Sequence, residues 1–408
     1  MPERTAVVVV TGAGLCSPLG RTLDDARAVF AGGRSVVRIA PNSTEKRLRV
    51  AAFLDEDLAA GLSPGLVKTA DRMALMALHA SDRAMADAGL AGGAFDPWRA
   101  GTFIGTGSGS IDSIYHATAS LIAKDTMPAL TLLKVLPNGA ASLVSMRHGL
   151  KGECSTMSVA CASAAHAFGT ALRLIRHGYL DLALVGGTEA PLVDSSFRAW
   201  EALRVLAHAD PQDPSRTCRP FALGRGGVVL GEGAAMYVLE SAAHARARGA
   251  RVHATLAGFG SAADASHLTL SQSDGQVAAM RAALADAGLA PADIGYINAQ
   301  GTGTPHGDET ETRSVHEVFG ARAAQTPISG TKSFHGHLLG ASGAIELAAA
   351  LIALRDGLLP PTLHLDAPDP ACDLDYIPHQ ARQVAPPRAV MKNSFAFGGS
   401  NASLILTR

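Results

Sequence analysis

The chain has 408 residues, with 35 Lys and Arg against 36 Asp and Glu, so its formal net charge of −1 gives no electrostatic footing for a nucleic-acid or anionic-membrane partner. Hydrophobic residues make up 47% and charged residues only 17%, which suits a large α/β enzyme with a big core and extensive subunit contacts. No run of 18 apolar residues escapes a charge or a break, so no membrane span is expected; the five cysteines form no C-x-x-C pair, which argues against a disulfide framework or zinc site and for a reducing cytoplasm.

In chain order, the first apolar run is too short for a secretory leader. Val7–Val10 reads as a buried strand entering a tight turn at Thr11-Gly12-Ala13-Gly14. Thr69–Gly89 is predicted as helix, Gly101–Ile104 as strand, Cys161–His177 as helix and Leu180–Val185 as strand. This alternation predicts an α/β fold with a buried, mostly parallel sheet. Gly12 and Gly14 follow a strand, but the third glycine of a dinucleotide fingerprint would fall on Ser17. The run Gly105–Gly109 also lacks the spacing, and no P-loop is present.

Cys161 has the most informative setting. An extended stretch from Cys154 ends there and an apolar-periodic helix begins, so the thiol is expected at the positive end of a helix macrodipole, where thiolate is favoured. A small buried core cysteine is the ordinary reading of such a residue. Three distant glycine-rich segments, bearing Gln300, Lys332, His337 and Phe397, favour a nucleophile.

An internal repeat is visible. Residues 161–180 laid over residues 340–359 match at eight positions, from Ala162/Ala341 and Ser163/Ser342 to Arg176/Arg355, Gly178/Gly357 and Leu180/Leu359. Both copies are helices of small residues with Arg in the last turn and Gly just beyond, a helix-stop signal. The repeat implies two similar halves meeting near residue 250, with residues 1–250 carrying Cys161 and 251–408 carrying the other site segments. Residues so small imply two helices packed closely at the centre of the molecule.

Three later segments complete the pattern. Tyr296–Glu311 reads as strand, loop and helix, with Gln300 in the loop and Asp308 and Glu311 near the helix start, where carboxylates are favoured; helix capping and structural salt bridging account for them at least as well as a chemical role. Ile328–Gly343 again gives strand, loop and helix, with Lys332, His335 and His337; the two histidines lack a third ligand at metal-site spacing. Lys392–Asn401 is a strand broken at Gly398-Gly399, carrying Phe395 and Phe397, where the two glycines let backbone N–H groups turn inward.

Taken together and in this order, these segments, with Arg219-Pro-Phe221 and Gly231–Glu240, resemble the β-ketoacyl-ACP synthases. The likeness is to the elongating KAS II branch and the type II polyketide ketosynthases. The resemblance implies a thiolase-like fold of five layers, α-β-α-β-α, in two pseudo-symmetric halves. It implies Cys161 as acyl-accepting nucleophile, Lys332 as the active-site lysine and His337 as the histidine of a Lys-Ser-x-x-Gly-His motif. Phe397 matches the gating phenylalanine, whose N–H pairs with that of Cys161 as an oxyanion hole, and Phe395 matches its neighbour. An acyl carrier protein is the implied partner, delivering acyl groups on phosphopantetheine. A homodimer or a heterodimer with a related subunit is implied, and no metal or organic cofactor. Lys68, Arg72 and Arg204 are candidates to meet the carrier's acidic helix, or are ordinary surface charges.

Two departures stand out. The family motif reads His-Gly-Thr-Gly-Thr, and this chain has Gln300 in place of that histidine. After Phe221, where the family has acidic residues, the chain reads Ala222-Leu-Gly-Arg225, so local ion pairing is expected to be rewired. An amide can donate a hydrogen bond but cannot titrate. Three functions follow: a condensing ketosynthase using Gln300 and His337 as donors, a transacylase that does not elongate, or a chain-length-factor-like subunit, against which the retained Cys161 speaks. His335 is a minor candidate to replace the missing imidazole, and His166 is read as a packed histidine.

Overall fold

The computed structural model describes residues 6–44 and 46–408. Ten strands are hydrogen-bonded into one sheet: β1 (Val8–Cys16), β2 (Ala100–Gly105), β3 (Cys154–Met157), β4 (Leu182–Glu189), β5 (Gly233–Ser241), β6 (Ala254–Ala263), β7 (Ile294–Asn298), β8 (Ile328–Ser329), β9 (Ala389–Phe395) and β10 (Ser400–Thr407). In space they run β8-β7-β9-β10-β6-β1-β5-β4-β2-β3. From edge to centre the first half is β3-β2-β4-β5-β1, and the second half is the same order shifted by five labels. The repeat seen in two helices therefore extends to the whole strand topology.

The sheet is mixed rather than mostly parallel. β2, β3 and β4 pair in parallel, as do β7, β8 and β9, while every pair between them is antiparallel. A four-residue turn, 396–399, joins β9 to β10 and forces one such pair. The turn expected at Thr11–Gly14 is also absent, because β1 runs straight through it. Those glycines serve packing: a Cβ on Gly12 would lie 2.3 Å from the Ala84 carbonyl, and one on Gly14 2.3 Å from that of Ala80.

Six helices build the layers: α1 (Arg72–Asp87), α2 (Gly139–His148), α3 (Ser163–Arg176), α4 (Ser273–Ala287), α5 (Pro305–Phe319) and α6 (Ser342–Asp356). α1 and α2 cover the outer face of the first half, and α4, backed by α5, covers the second. α3 and α6 pack on each other and on strands of both halves, which makes the middle of five layers. Their small residues permit this. A Cβ on Gly187 would lie 2.9 Å from Ala341 Cα and 3.1 Å from Ala164 Cβ, and one on Gly105 2.3 Å from the Ala164 nitrogen. The matched arginines perform matched work: Arg176 pairs with Asp286 of α4 at 2.7 Å, and Arg355 with Asp24 at 2.6 Å.

Among the described residues no helix is long and apolar enough to cross a membrane, and no three His, Cys, Asp or Glu side chains gather as metal ligands.

Candidate active site

Cys161 lies between β3 and α3, and the turn that carries it is tightly fixed. Ala160 adopts φ 44°, in the left-handed region, and Ser163 holds it there: its hydroxyl donates to the Ala160 carbonyl (2.6 Å) and accepts from the Val159 N–H (2.8 Å). Helix α3 starts at Ser163, so the sulfur sits just ahead of the first turn. The expected resting thiolate is not what this setting gives. Burial pushes the Cys161 thiol up to about 11, against the pull of Lys332 and of the backbone N–H groups of Phe397 and Cys161 itself. Those two N–H groups are the pair expected to form an oxyanion hole.

His337 faces the sulfur, with Nε2 3.1 Å from Cys161 Sγ. The Leu339 N–H donates to Nδ1 (3.1 Å), and Ser342 Oγ lies 2.7 Å from the same atom. A backbone N–H can only donate, so Nδ1 accepts and the ring proton sits on Nε2, toward the cysteine. Burial, helped by Lys332, holds the imidazole well below its ordinary value, so it is neutral at physiological pH.

Gln300 follows β7 and is buried. Its loop is clamped from below by α5. Glu311 accepts the N–H groups of Gln300 (2.8 Å) and Gly301 (2.9 Å), and Asp308 accepts those of Gly303 (3.1 Å) and Phe221 (2.8 Å). Asp308 and Glu311 thus brace this loop by its main chain, and both also border the Cys161 cavity. Arg225, the arginine that follows Phe221, lies 3.4 Å from Asp308 and 2.5 Å from Asp369.

Lys332 is fully buried on a single helical turn, Lys332–His335. Its ammonium donates to the Gln300 carbonyl (2.6 Å), to Gln300 Oε1 (3.4 Å) and to Glu346 Oε1 (2.6 Å). An ammonium has no acceptor, so the amide oxygen of Gln300 must face it. Gln300 Nε2 then points away, and it is buried with no partner.

Glu346 was not anticipated. It lies between Lys332 and Lys392, whose Nζ is 2.9 Å from Oε2. Burial works to raise this carboxyl, but the two lysines overcome it and hold it below the usual range. The signal was present, since Glu346 is the only charged residue between Ser342 and Leu354 in a helix that is otherwise apolar or small. Glu189 was also missed. It accepts the N–H groups of Gly107 (2.6 Å), Ser108 (3.0 Å) and Gly340 (2.9 Å), and so ties the loop after β2 to the loop after His337.

Cys161, Gln300, His337, Phe395 and Phe397 line one cavity of about 310 Å³, with Trp200, Leu270 and Arg204 also in its wall. Phe397 stacks on Trp200, ring centroids 5.9 Å apart, and its turn is tied to the neighbouring loop by the Gly398 N–H donating to the Leu268 carbonyl (2.7 Å). Gly398 and Gly399 take φ 83° and 72°, which a side chain would strain. Lys332 does not line the cavity; it acts on it through Gln300. His335 does not line it either: its Nε2 lies 3.4 Å from Thr331 Oγ1 and burial pushes it down to about 4, so it does not replace the missing imidazole. His166 packs edge-on against Phe259. Of the three surface cations considered, Arg72 is occupied by Glu232 (2.5 Å), while Lys68 and Arg204 are exposed.

The sequence matches the family models described as Beta-ketoacyl synthase, N-terminal domain, over residues 5–245, and Beta-ketoacyl synthase, C-terminal domain, over residues 253–366. It is 45% identical over 335 residues to Nodulation protein E of Rhizobium meliloti, covering 82% of each chain. It is 36% identical to 3-oxoacyl-[acyl-carrier-protein] synthase 2 of Coxiella burnetii, covering 98% of each. Among solved structures, the ishigamide ketosynthase/chain length factor superposes with a TM-score of 0.92 at 31% identity, covering 99% of each chain. With two family models spanning most of the chain, full-length relatives and the fold in agreement, the chain belongs to the β-ketoacyl synthase family and is an acyltransferase of thiolase-like fold.

Proposed function

We propose that the chain is a condensing enzyme in which the Gln300 amide replaces an imidazole as hydrogen-bond donor. The observation that carries this reading is the buried, unpaired Nε2 of Gln300, a residue that lines the Cys161 cavity and whose amide oxygen is turned to Lys332. Lys332 is then a positioning residue: it fixes which end of the amide meets the substrate.

In the first half-reaction the Cys161 sulfur attacks an acyl thioester carried on phosphopantetheine. The backbone N–H groups of Phe397 and Cys161 hold the tetrahedral oxyanion. The carrier thiol leaves and takes the proton that Cys161 gives up. In the second, malonyl-carrier loses CO2, and the electron pair of the broken C–C bond becomes an enolate. His337 Nε2–H and Gln300 Nε2–H donate to the enolate oxygen. The enolate carbon attacks the acyl-cysteine, a C–C bond forms, and the cysteine sulfur leaves and regains a proton. Neither donor needs to change protonation state.

An acyl carrier protein and a second ketosynthase-like subunit, identical or related, are the proposed partners, in a cytoplasmic setting with no resident metal or organic cofactor. The proposed division into similar halves falls near residue 250, between β5 and β6. The pathway served is fatty acid, polyketide or polyene synthesis. A second reading, a chain-length-factor-like or non-elongating partner, is favoured by the untitratable Gln300 and by the likeness to a ketosynthase/chain length factor. Intact-mass analysis with acyl- and malonyl-carrier separates the two. Acylation of Cys161 followed by β-ketoacyl product supports condensation; acylation without product supports a non-elongating transacylase; absence of acylation refutes the nucleophile and supports a chain-length-factor-like subunit.

A further inference from the structure

Lys392 is a buried charge that the two half-reactions leave unused. It lies inside the sheet on β9, opposite Asn298 of β7 on one side and Leu404 of β10 on the other, and it is 0% exposed. A lysine is almost never so deep without a partner that needs it. Its Nζ is 2.9 Å from Glu346 Oε2 as a charge contact only, since among the described residues Oε2 accepts no hydrogen bond. Its N–H groups go to the Asn393 carbonyl and to Ser394 Oγ (3.2 Å). Burial works to discharge this ammonium, and Glu346 and Glu311 oppose that.

Glu346 does not need Lys392 to be neutralised, because Lys332 already meets Oε1 at 2.6 Å. The requirement comes from what else Lys332 does. Its ammonium has three N–H groups. One meets Glu346, one the Gln300 carbonyl (2.6 Å) and one Gln300 Oε1 (3.4 Å). The last and longest contact is the one that tells the two ends of the amide apart. Without a charge at Lys392, Oε2 is a buried anion with no counter-ion of its own, and it draws Lys332 onto both oxygens of Glu346. The contact given up is the one to Gln300 Oε1, and the amide can then turn its oxygen to where its N–H stood.

We infer that Lys392 is a positioning residue for the condensation step: by balancing the second oxygen of Glu346, it leaves Lys332 available to orient the Gln300 amide. The inference rests on the reading of Gln300 Nε2–H as the enolate donor. Lys392 changes the fraction of amides that present this donor, and touches no substrate.

The test measures CO2 release from malonyl-carrier, counted per Cys161 that acylates by intact mass, in Lys392→Gln and Lys392→Met. The first keeps a donor near Glu346 and removes the charge; the second removes both. In each, release should fall about tenfold, the result of about nine in ten amides turning over, with KM for malonyl-carrier unchanged and Cys161 acylation altered less than about threefold. Adding Glu346→Gln to either removes the charge that captures Lys332, and should return release to within about threefold of wild type. A lysine needed only for the fold predicts the reverse, since a second buried disruption compounds the first. The inference is overturned by wild-type release in both single variants, by collapse of acylation in both, or by a loss that Glu346→Gln does not relieve. Gln300→Ala separates this from the reading beneath it. An unchanged rate in Gln300→Ala refutes the amide donor and the inference together; a fall there of about 100-fold, with none in the Lys392 variants, refutes the inference alone.

Discussion

Replacing Gln300 with glutamate changes one nitrogen to oxygen and keeps the shape of the side chain. The new carboxylate still meets Lys332, now with a stronger attraction than the 3.4 Å amide contact. What disappears is the unpartnered Nε2–H donor of the side chain. Losing one oxyanion donor costs about 3 kcal/mol, or about two orders of magnitude in rate, so decarboxylation of malonyl-carrier should fall about 100-fold in Gln300→Glu. Gln300→Ala should fall by a similar factor. Its effect on Lys332 is small, because the ammonium keeps the Gln300 carbonyl at 2.6 Å and Glu346 at 2.6 Å. Acylation of Cys161 should change by less than about threefold in both, since its oxyanion is held by backbone N–H groups. Gln300→His returns a ring N–H and should raise decarboxylation. The assay is CO2 release from labelled malonyl-carrier, run beside intact-mass measurement of Cys161 acylation. Wild-type decarboxylation in Gln300→Glu would refute the donor role, and an equal collapse of acylation would show that Gln300 serves the nucleophile instead.

Alkylation of Cys161 by iodoacetamide should rise about tenfold per pH unit from pH 7 to pH 10, because a thiol titrating at about 11 gains thiolate throughout that range; a plateau below pH 8, read by mass spectrometry, contradicts the burial argument. Lys392→Met leaves Glu346 with one cation instead of two in a fully buried site. This should cost about 3 kcal/mol in denaturant unfolding, and a change under 1 kcal/mol would show that the second lysine is not needed. In Gly340→Ala the new Cβ would lie 2.2 Å from the Gly107 nitrogen. Overpacking against backbone should destabilise by roughly 3 kcal/mol and loosen the loop that carries His337; unaltered stability and acylation would refute this packing.

The sequence was most legible where a pattern is local. The two small-residue helices, the strand-loop-helix units around Gln300 and Lys332, and the turn at Gly398-Gly399 all appear where spacing placed them. Legibility failed where distant elements decide. Gly12 and Gly14 look like turn residues, yet α1 pressing on β1 is why they are glycine. The direction of the central strands depends on which neighbours they find, and alternation of elements does not encode that. The thiolate expected at Cys161 follows from a helix terminus alone, whereas the burial that opposes it comes from both halves closing around the sulfur. Lys332 was placed in the site, but its depth, and the role of Glu346 beneath it, depend on a helix far along the chain.

The contact between α3 and α6 has a bearing on how such an enzyme diversifies. With main chain and methyl groups already touching where these helices meet their neighbouring strands, the spacing of nucleophile and imidazole is set by backbone and leaves little slack for adjustment. New substrates must therefore be accommodated by changing the rim, at positions such as Trp200, Leu270 and Phe397. The reacting centre itself stays as rigid as the spine behind it.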